Sequence, residues 1–149
     1  MKIYLSQAFS GAANWPEARQ RSEELGDMLQ AHGFEVYLPH VNTDPLEHAG
    51  LDARTVFERD RAEIHQSEIL LALLDEPSHG VGAEIVLALN GGMIVLGVLP
   101  RGKEVSRFIR GLLEDSENGR YFEYDRLDEI VEELTLLATP RLRILSQTA

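Results

Sequence analysis

Between Glu76 and Arg101 the chain carries a single charged side chain, Glu84, and it stands in the run Pro77-Ser78-His79-Gly80-Val81-Gly82-Ala83-Glu84. Two glycines after a strand let backbone approach a ligand closely, and the helix start that follows favours an anion. A carboxylate isolated in an apolar helix at such a mouth has the makings of a nucleophile. The bland alternative is a first-turn glutamate that complements the helix dipole. The run is neither a dinucleotide fingerprint, since the third glycine is misplaced, nor a P-loop, since the lysine is missing. Asp60 is the second signal: it falls three after Phe57, four after Val56 and four before Ile64, so it interrupts an apolar helical face. A carboxylate there is either paired, with Arg59 or Arg61 as candidates, or functional. Tyr4 sits near the carboxyl end of the first strand, as core or as a polar handle at a pocket. Ser106 opens the helical run Val105-Ser106-Arg107-Phe108-Ile109-Arg110-Gly111 and is either an ordinary N-terminal serine or a phosphate donor. The histidines at 32, 40, 48, 65 and 79 show no paired metal-ligand spacing; His79 in the glycine loop and His40 at the end of the second strand stand near the expected pocket.

The elements that must hold these residues alternate in type. Lys2 to Ser6 reads as a strand running into the loop Gln7-Ala8-Phe9-Ser10-Gly11-Ala12-Ala13. Asn14, Pro16 and Glu17 open a helix with a capping-box-like spacing, and Gly33 ends it. Phe34 to Leu38 is a second strand, and Pro39 to Gly50 a long polar loop. Leu51 to Gln66 is a helix with Val56, Phe57 and Ile64 on one face. Ile69 to Leu74 is a strand continuous enough to be buried on both sides. A helix from Gly80 to Leu89, a strand from Met93 to Leu99, a helix from Glu104 to Leu113 and a short strand from Arg120 to Glu123 follow. Asp125 caps a last helix, and Pro140 to Ala149 reads as a tail.

This order predicts a single-domain α/β three-layer sandwich over residues 1–139, flavodoxin-like or Rossmann-like, with a five-stranded mainly parallel sheet and a 140–149 tail. Ligands in such sheets bind beyond the carboxyl ends of the strands, where the strand order reverses. Loops 6–13, 39–50 and 75–82 should meet there.

Composition narrows the function. With 149 residues, 44% hydrophobic and 26% charged, the chain can bury one core. It has no cysteine, so disulfides and thiolate metal sites are excluded and a reducing, cytoplasmic setting is expected. No apolar stretch is long enough to span a bilayer, and the N-terminus reads as a strand instead of a signal peptide. A formal charge of −11 argues against a nucleic-acid polymer as partner but leaves room for one phosphate in a pocket.

Taken together, Ser78-x-Gly80-x-Gly82-x-Glu84, Asp60 before a buried strand, Ser106 to Gly111, and His40-Val41 after the second strand resemble the nucleoside 2-deoxyribosyltransferase superfamily. The nearer likeness is to its hydrolytic branch, the 2'-deoxynucleoside 5'-monophosphate N-glycosidases and cytidine monophosphate hydrolases, and it covers Lys2 to about Leu137. The first loop departs, with Gln7, Ala8 and Ser10 where the family tends to have Gly, Ser and Arg. The resemblance implies a retaining double displacement in which Glu84 forms a glycosyl ester that water hydrolyses. It gives Asp60 the departing base, and Tyr4 the nucleophile and sugar. Ser78, Ser106 and the backbone of Gly80 and Gly82 would bind a 5'-phosphate, with Phe9 and His40 as further substrate-binding positions. It implies a small-molecule nucleotide substrate, no metal or organic cofactor, and a homodimer. Base exchange by a deoxyribosyltransferase, hydrolysis of a ribonucleotide such as CMP, and a nucleotide-sensing module without turnover are the competing readings.

Overall fold

The computed structural model describes residues 1–8, 15–43 and 48–147. Five strands, β1 (Lys2–Ser6), β2 (Glu35–Tyr37), β3 (Ile69–Leu73), β4 (Ile94–Pro100) and β5 (Gly119–Tyr124), form one all-parallel sheet in the order β2-β1-β3-β4-β5. Helices α1 (Trp15–Ala31), α2 (Pro39–Thr43), α3 (Ala53–Gln66), α4 (His79–Asn90), α5 (Arg107–Asp115) and α6 (Leu127–Gln147) connect or follow them. The α/β sandwich expected from the alternation of elements is therefore the fold, in its flavodoxin-like strand order.

Period-two alternation divides the core into two layers. On one face Ile3, Leu5, Ile69, Leu71, Leu73, Leu96 and Val98 meet Leu25 and Leu29 of α1 and Ile130, Val131 and Leu134 of α6. On the other, Tyr4, Leu70, Ala72, Val95 and Leu99 meet Ile64 of α3, Val81, Ile85 and Ala88 of α4, and Leu113 of α5. All five residues of β3 are buried, as a central parallel strand requires. Truncating one of its leucines to alanine should cost about 2–5 kcal/mol.

Two glycines seat α5 against the sheet. A Cβ at Gly97 would stand 2.5 Å from Leu113 Cδ1 and 2.9 Å from Leu74 Cδ1, and one at Gly119 would run into the Leu113 carbonyl. That close approach seats the last turn of α5 on the sheet, and Ser106 stands at the opposite end of the helix as its N-cap.

Several boundaries differ from the sequence reading. The segment read as a loop from Pro39 contains α2, because proline is pre-set for a first helical turn and the Thr43 hydroxyl donates to the Pro39 carbonyl at 2.8 Å. Helix α3 starts at Ala53, where Asp52 caps it by accepting from the Thr55 N–H at 2.8 Å. Phe57 is not part of its buried face: it is 49% exposed and lies under the Arg61 guanidinium, 5.0 Å from ring centroid to Cζ. Helix α6 runs through Pro140 to Gln147, into the segment read as a tail, and the apolar spacing carries on there in Leu142 and Leu145. Asn14, read as the first helix cap, lies outside the described residues.

Candidate active site

The connections to β2 and to β4 leave β1 and β3 in opposite directions, so the carboxyl ends of these two neighbouring strands border the reversal in strand order. Ser6, the last residue of β1, is in register with Ala72 of β3. Side chains at 4 and 6 share a face of β1, and α4 crosses that face after the loop that leaves β3. Ser78 caps α4 by accepting from the Val81 N–H at 3.3 Å. Glu84 is thus the sixth helical residue, in the second turn and not the first, and the dipole explanation for it fails. Its carboxylate reaches back to β1 instead. Tyr4 Oη donates to Glu84 Oε1 at 3.1 Å, and Ser6 Oγ donates to Oε2.

Those two hydroxyls set the state of the carboxylate. Burial pushes the Glu84 pKa up, and the hydrogen bonds from Ser6 and Tyr4 pull it back. Burial, reinforced by the Glu84 charge, pushes the Tyr4 phenol far above its ordinary range, so it remains a donor. Tyr4 is fully buried, and its ring stacks on Tyr37 of β2 with centroids 5.5 Å apart and planes at 23°. The phenol is therefore held by both strands of that half of the sheet.

Asp60 reaches the same place from α3. Thr43 Oγ1, at the end of α2, gives its proton to the Pro39 carbonyl and lies 3.4 Å from Asp60 Oδ1, and no ion pair to Asp60 occurs among the described residues. Neither Arg59 nor Arg61 forms an ion pair with this carboxylate, although the Arg59 charge still draws its pKa down. Burial, and then the neighbouring charge of Glu84, push its pKa up to about 6. Both carboxylates line a cavity of about 290 Å³ together with Gln7, Thr43, Ser78, His79 and Gly80. A second cavity of about 390 Å³ adjoins it through Ser78, His79 and Val81 and includes Gly82, Glu104, Ser106 and Ile109. Two carboxyl groups whose surroundings differ, one fed by two hydroxyl donors and one poised to hold a proton near neutrality, can divide nucleophilic and acid–base work. Among the described residues no group of three or more His, Asp or Glu side chains is arranged to hold a metal ion.

This arrangement has relatives. A family model described as nucleoside 2-deoxyribosyltransferase matches residues 3–129. The chain belongs to the nucleoside 2-deoxyribosyltransferase family, and is an enzyme. A Thermofilum pendens protein named as a 2'-deoxynucleoside 5'-phosphate N-hydrolase is 35% identical over 137 residues, spanning 90% of this chain and 92% of that protein. The mouse 5-hydroxymethyl-dUMP N-hydrolase is 32% identical over 110 residues, 70% of this chain and 61% of the mouse protein. In fold, the chain is similar to the CMP N-glycosidase of Clostridium botulinum, with a TM-score of 0.68 at 23% identity over 92% of this chain and 99% of that one.

Within this family member, the residues singled out from sequence separate into groups. Glu84, Asp60 and Tyr4 come together, and Ser78 lines both cavities. Gly80 borders the first cavity and Gly82 the second. The Gly82 N–H is not available to a ligand, because it donates to the Ser78 carbonyl at 3.2 Å within the first turn of α4. Ser106 caps α5 by position, yet its hydroxyl makes no capping bond. His40 is 1% exposed and lines neither cavity: α2 turns it toward α1, with Nε2 3.3 Å from Glu23 Oε1. Phe9 lies outside the described residues. Sequence reasoning passed over Ser6, a donor to Glu84, and Thr43, the hydroxyl beside Asp60, and the spacing of Ser6 two residues after Tyr4 was the signal that could have found it. As for the membrane, no helix among the described residues is long and apolar enough to cross one.

Proposed function

We propose that the enzyme hydrolyses the N-glycosidic bond of 2'-deoxynucleoside 5'-monophosphates, with Glu84 as nucleophile, Asp60 as acid and base, and Tyr4, buried behind Glu84 and lining neither cavity, as the group that holds the nucleophile and not the sugar. The observation that carries this reading is the Glu84 carboxylate, which receives two hydroxyl donors from β1 and shares one cavity with a half-buried Asp60. The names borne by the relatives support the same chemistry.

In the first step the Glu84 carboxylate attacks the anomeric carbon, forming an ester as the bond to the base nitrogen breaks. The electron pair leaves with the base, which takes the proton of Asp60. Water then attacks the same carbon, its proton passes to the Asp60 carboxylate, and the ester breaks to return Glu84 as carboxylate. Donors already aimed at the carboxylate need no reorganisation when charge returns to it. The 5'-phosphate falls to Ser78 and Ser106. Outside its own helix backbone, a Cβ at Gly80 would meet nothing among the described residues nearer than Ser78 Oγ at 3.7 Å, which leaves backbone approach by a ligand possible there.

Incubation with a panel of nucleosides and their 5'-monophosphates, with and without a second free base, followed by chromatography of released base, tests the assignment. Base release from deoxyribonucleoside monophosphates, faster than from nucleosides and without incorporation of the added base, is the expected result. Base exchange without net release would make the enzyme a transferase, and faster cleavage of CMP than dCMP would move its substrate to ribonucleotides.

A further inference from the structure

The catalytic cavity contains a polar group that the reaction as written does not use. Gln7 directly follows Ser6, the donor to Glu84, and lines the cavity with both carboxylates. It is 7% exposed, and neither its Nε2 nor its Oε1 has a hydrogen-bond partner among the described residues. An amide buried with both ends unpaired is costly, and native proteins retain such groups where something else completes them.

The carboxamide itself restricts what that can be. It offers one donor and one acceptor side by side. A phosphate only accepts, so it would leave the amide oxygen facing another oxygen. A deoxyribose ring carries one secondary hydroxyl and satisfies one end of the fork. A nucleobase presents a matching pair along its lactam edge (N–H beside C=O) or its amidine edge (NH₂ beside ring nitrogen), and rotation of the terminal amide serves either.

We propose that Gln7 is a specificity-determining residue that pairs with the lactam or amidine edge of the departing base. It thereby selects for substrates that carry such an edge and holds the base while Asp60 exchanges its proton. The proposal rests on the reading of this cavity as a nucleotide site. The sequence reading noted Gln7 only as a departure from the usual glycine of the first loop; a side chain there can do what glycine cannot.

The test compares wild type with Gln7→Leu and Gln7→Met, both close in volume and without the amide. Substrates are dCMP, dGMP, dAMP and TMP, with the 5'-monophosphate of purine 2'-deoxyriboside, whose base lacks the exocyclic group, as the edge-deficient probe. Both variants should lose about ten- to hundredfold in kcat/KM on the four natural nucleotides. They should stay within about threefold of wild type on the probe and retain inhibition by deoxyribose 5-phosphate, which has no base. Thermal stability should hold or rise, because an unpaired buried amide has been removed. An equal loss on the probe, weakened inhibition by deoxyribose 5-phosphate, or unchanged kcat/KM throughout overturns the assignment. Should wild type release no base at all, the hydrolase reading fails on its own. The same comparison, read as Kd by calorimetry with the same nucleotides, then decides Gln7: a ten- to hundredfold weakening confined to the edge-bearing bases supports it, and unchanged affinity overturns it.

Discussion

The two adjoining cavities share Ser78, His79 and Val81 but are built for different work. Two carboxylates dominate the smaller one, each beside hydroxyls of a different element: Glu84 accepts from Tyr4 and Ser6 of β1, and Asp60 lies next to Thr43 of α2. Apolar side chains dominate the larger one, among them Leu74, Pro77, Val81, Ile85, Val105 and Ile109, with the hydroxyls of Ser78 and Ser106 at the starts of α4 and α5. Its charged members are Glu76 and Glu104, and Lys103 Nζ lies 3.9 Å from Glu76. A phosphate held there must rely on hydroxyls and on the positive ends of two helices, with no basic cluster to neutralise it. Chemistry at one cavity and recognition at the other should therefore be separable by mutation.

The largest expected effect lies in the first cavity. Glu84→Gln keeps shape and one acceptor oxygen, with its NH2 facing the other of the Tyr4 and Ser6 hydroxyls as a donor, but it cannot attack carbon. Base release should fall by roughly three orders of magnitude or more, about 4 kcal/mol of barrier, equally for every substrate that wild type cleaves. Single-turnover assays with unchanged thermal melting would establish it, and turnover within tenfold of wild type would sink the mechanism.

In the second cavity the effect should be smaller and selective. Losing one hydrogen bond to a charged group costs about 1.5–3 kcal/mol. Each of Ser78→Ala and Ser106→Ala should then lower kcat/KM for monophosphates by about ten- to hundredfold and leave nucleosides nearly untouched. Ser106→Ala is the cleaner probe, because its hydroxyl makes no capping bond, whereas Ser78 also caps α4 and its loss should cost about 1 kcal/mol of stability. An unchanged ratio of monophosphate to nucleoside cleavage in the Ser106 variant would remove phosphate recognition from this cavity.

The contrast between the cavities also explains what could be read from sequence. Glu84 and Asp60 stood out because each breaks a pattern, a charge in an apolar helix and a carboxylate on an apolar face, and burying a charge without reason is expensive. β1 and β3 were legible as short apolar runs bounded by polar loops. What escaped depends on orientation. Ser6 is an ordinary strand-end residue until its face is known, and α2 was hidden in a proline- and polar-rich segment whose only helical cue was Pro39. His40 follows a strand at the mouth of the sheet, yet one helical turn directs it toward Glu23 and away from the substrate side. Phe57 matched the apolar spacing of its helix and still faces solvent, because α3 fully buries only Ile64 while its outer turns lie open.

The smallest effect sharpens the comparison within the catalytic cavity itself. Asp60 is the carboxylate whose surroundings favour the proton: its pKa stands at about 6 against an ordinary 3.8. Below about pH 3 the group is protonated folded or unfolded, and its contribution is constant. As pH rises from there through 6, the unfolded chain releases the proton first while the folded one keeps it, so stability falls across that window. Above it, the folded protein bears the cost of a half-buried anion beside Glu84. That rise converts to about 3 kcal/mol, and solvent screening at a half-exposed site reduces it to about 1 kcal/mol. Asp60→Asn does not titrate and keeps a polar group of the same shape beside Thr43, so it should match wild type at about pH 3 and exceed it at about pH 8 by about 1 kcal/mol, roughly 3 °C in Tm for a chain of this size. Base release should move the other way, since an asparagine cannot protonate the departing base, and the wild-type rate should decline as pH passes 6. Melting curves at the two pH values decide the matter: a variant less stable than wild type at pH 8 would mean that Asp60 is held as a paired, stabilising carboxylate, and the division of labour between it and Glu84 would be lost.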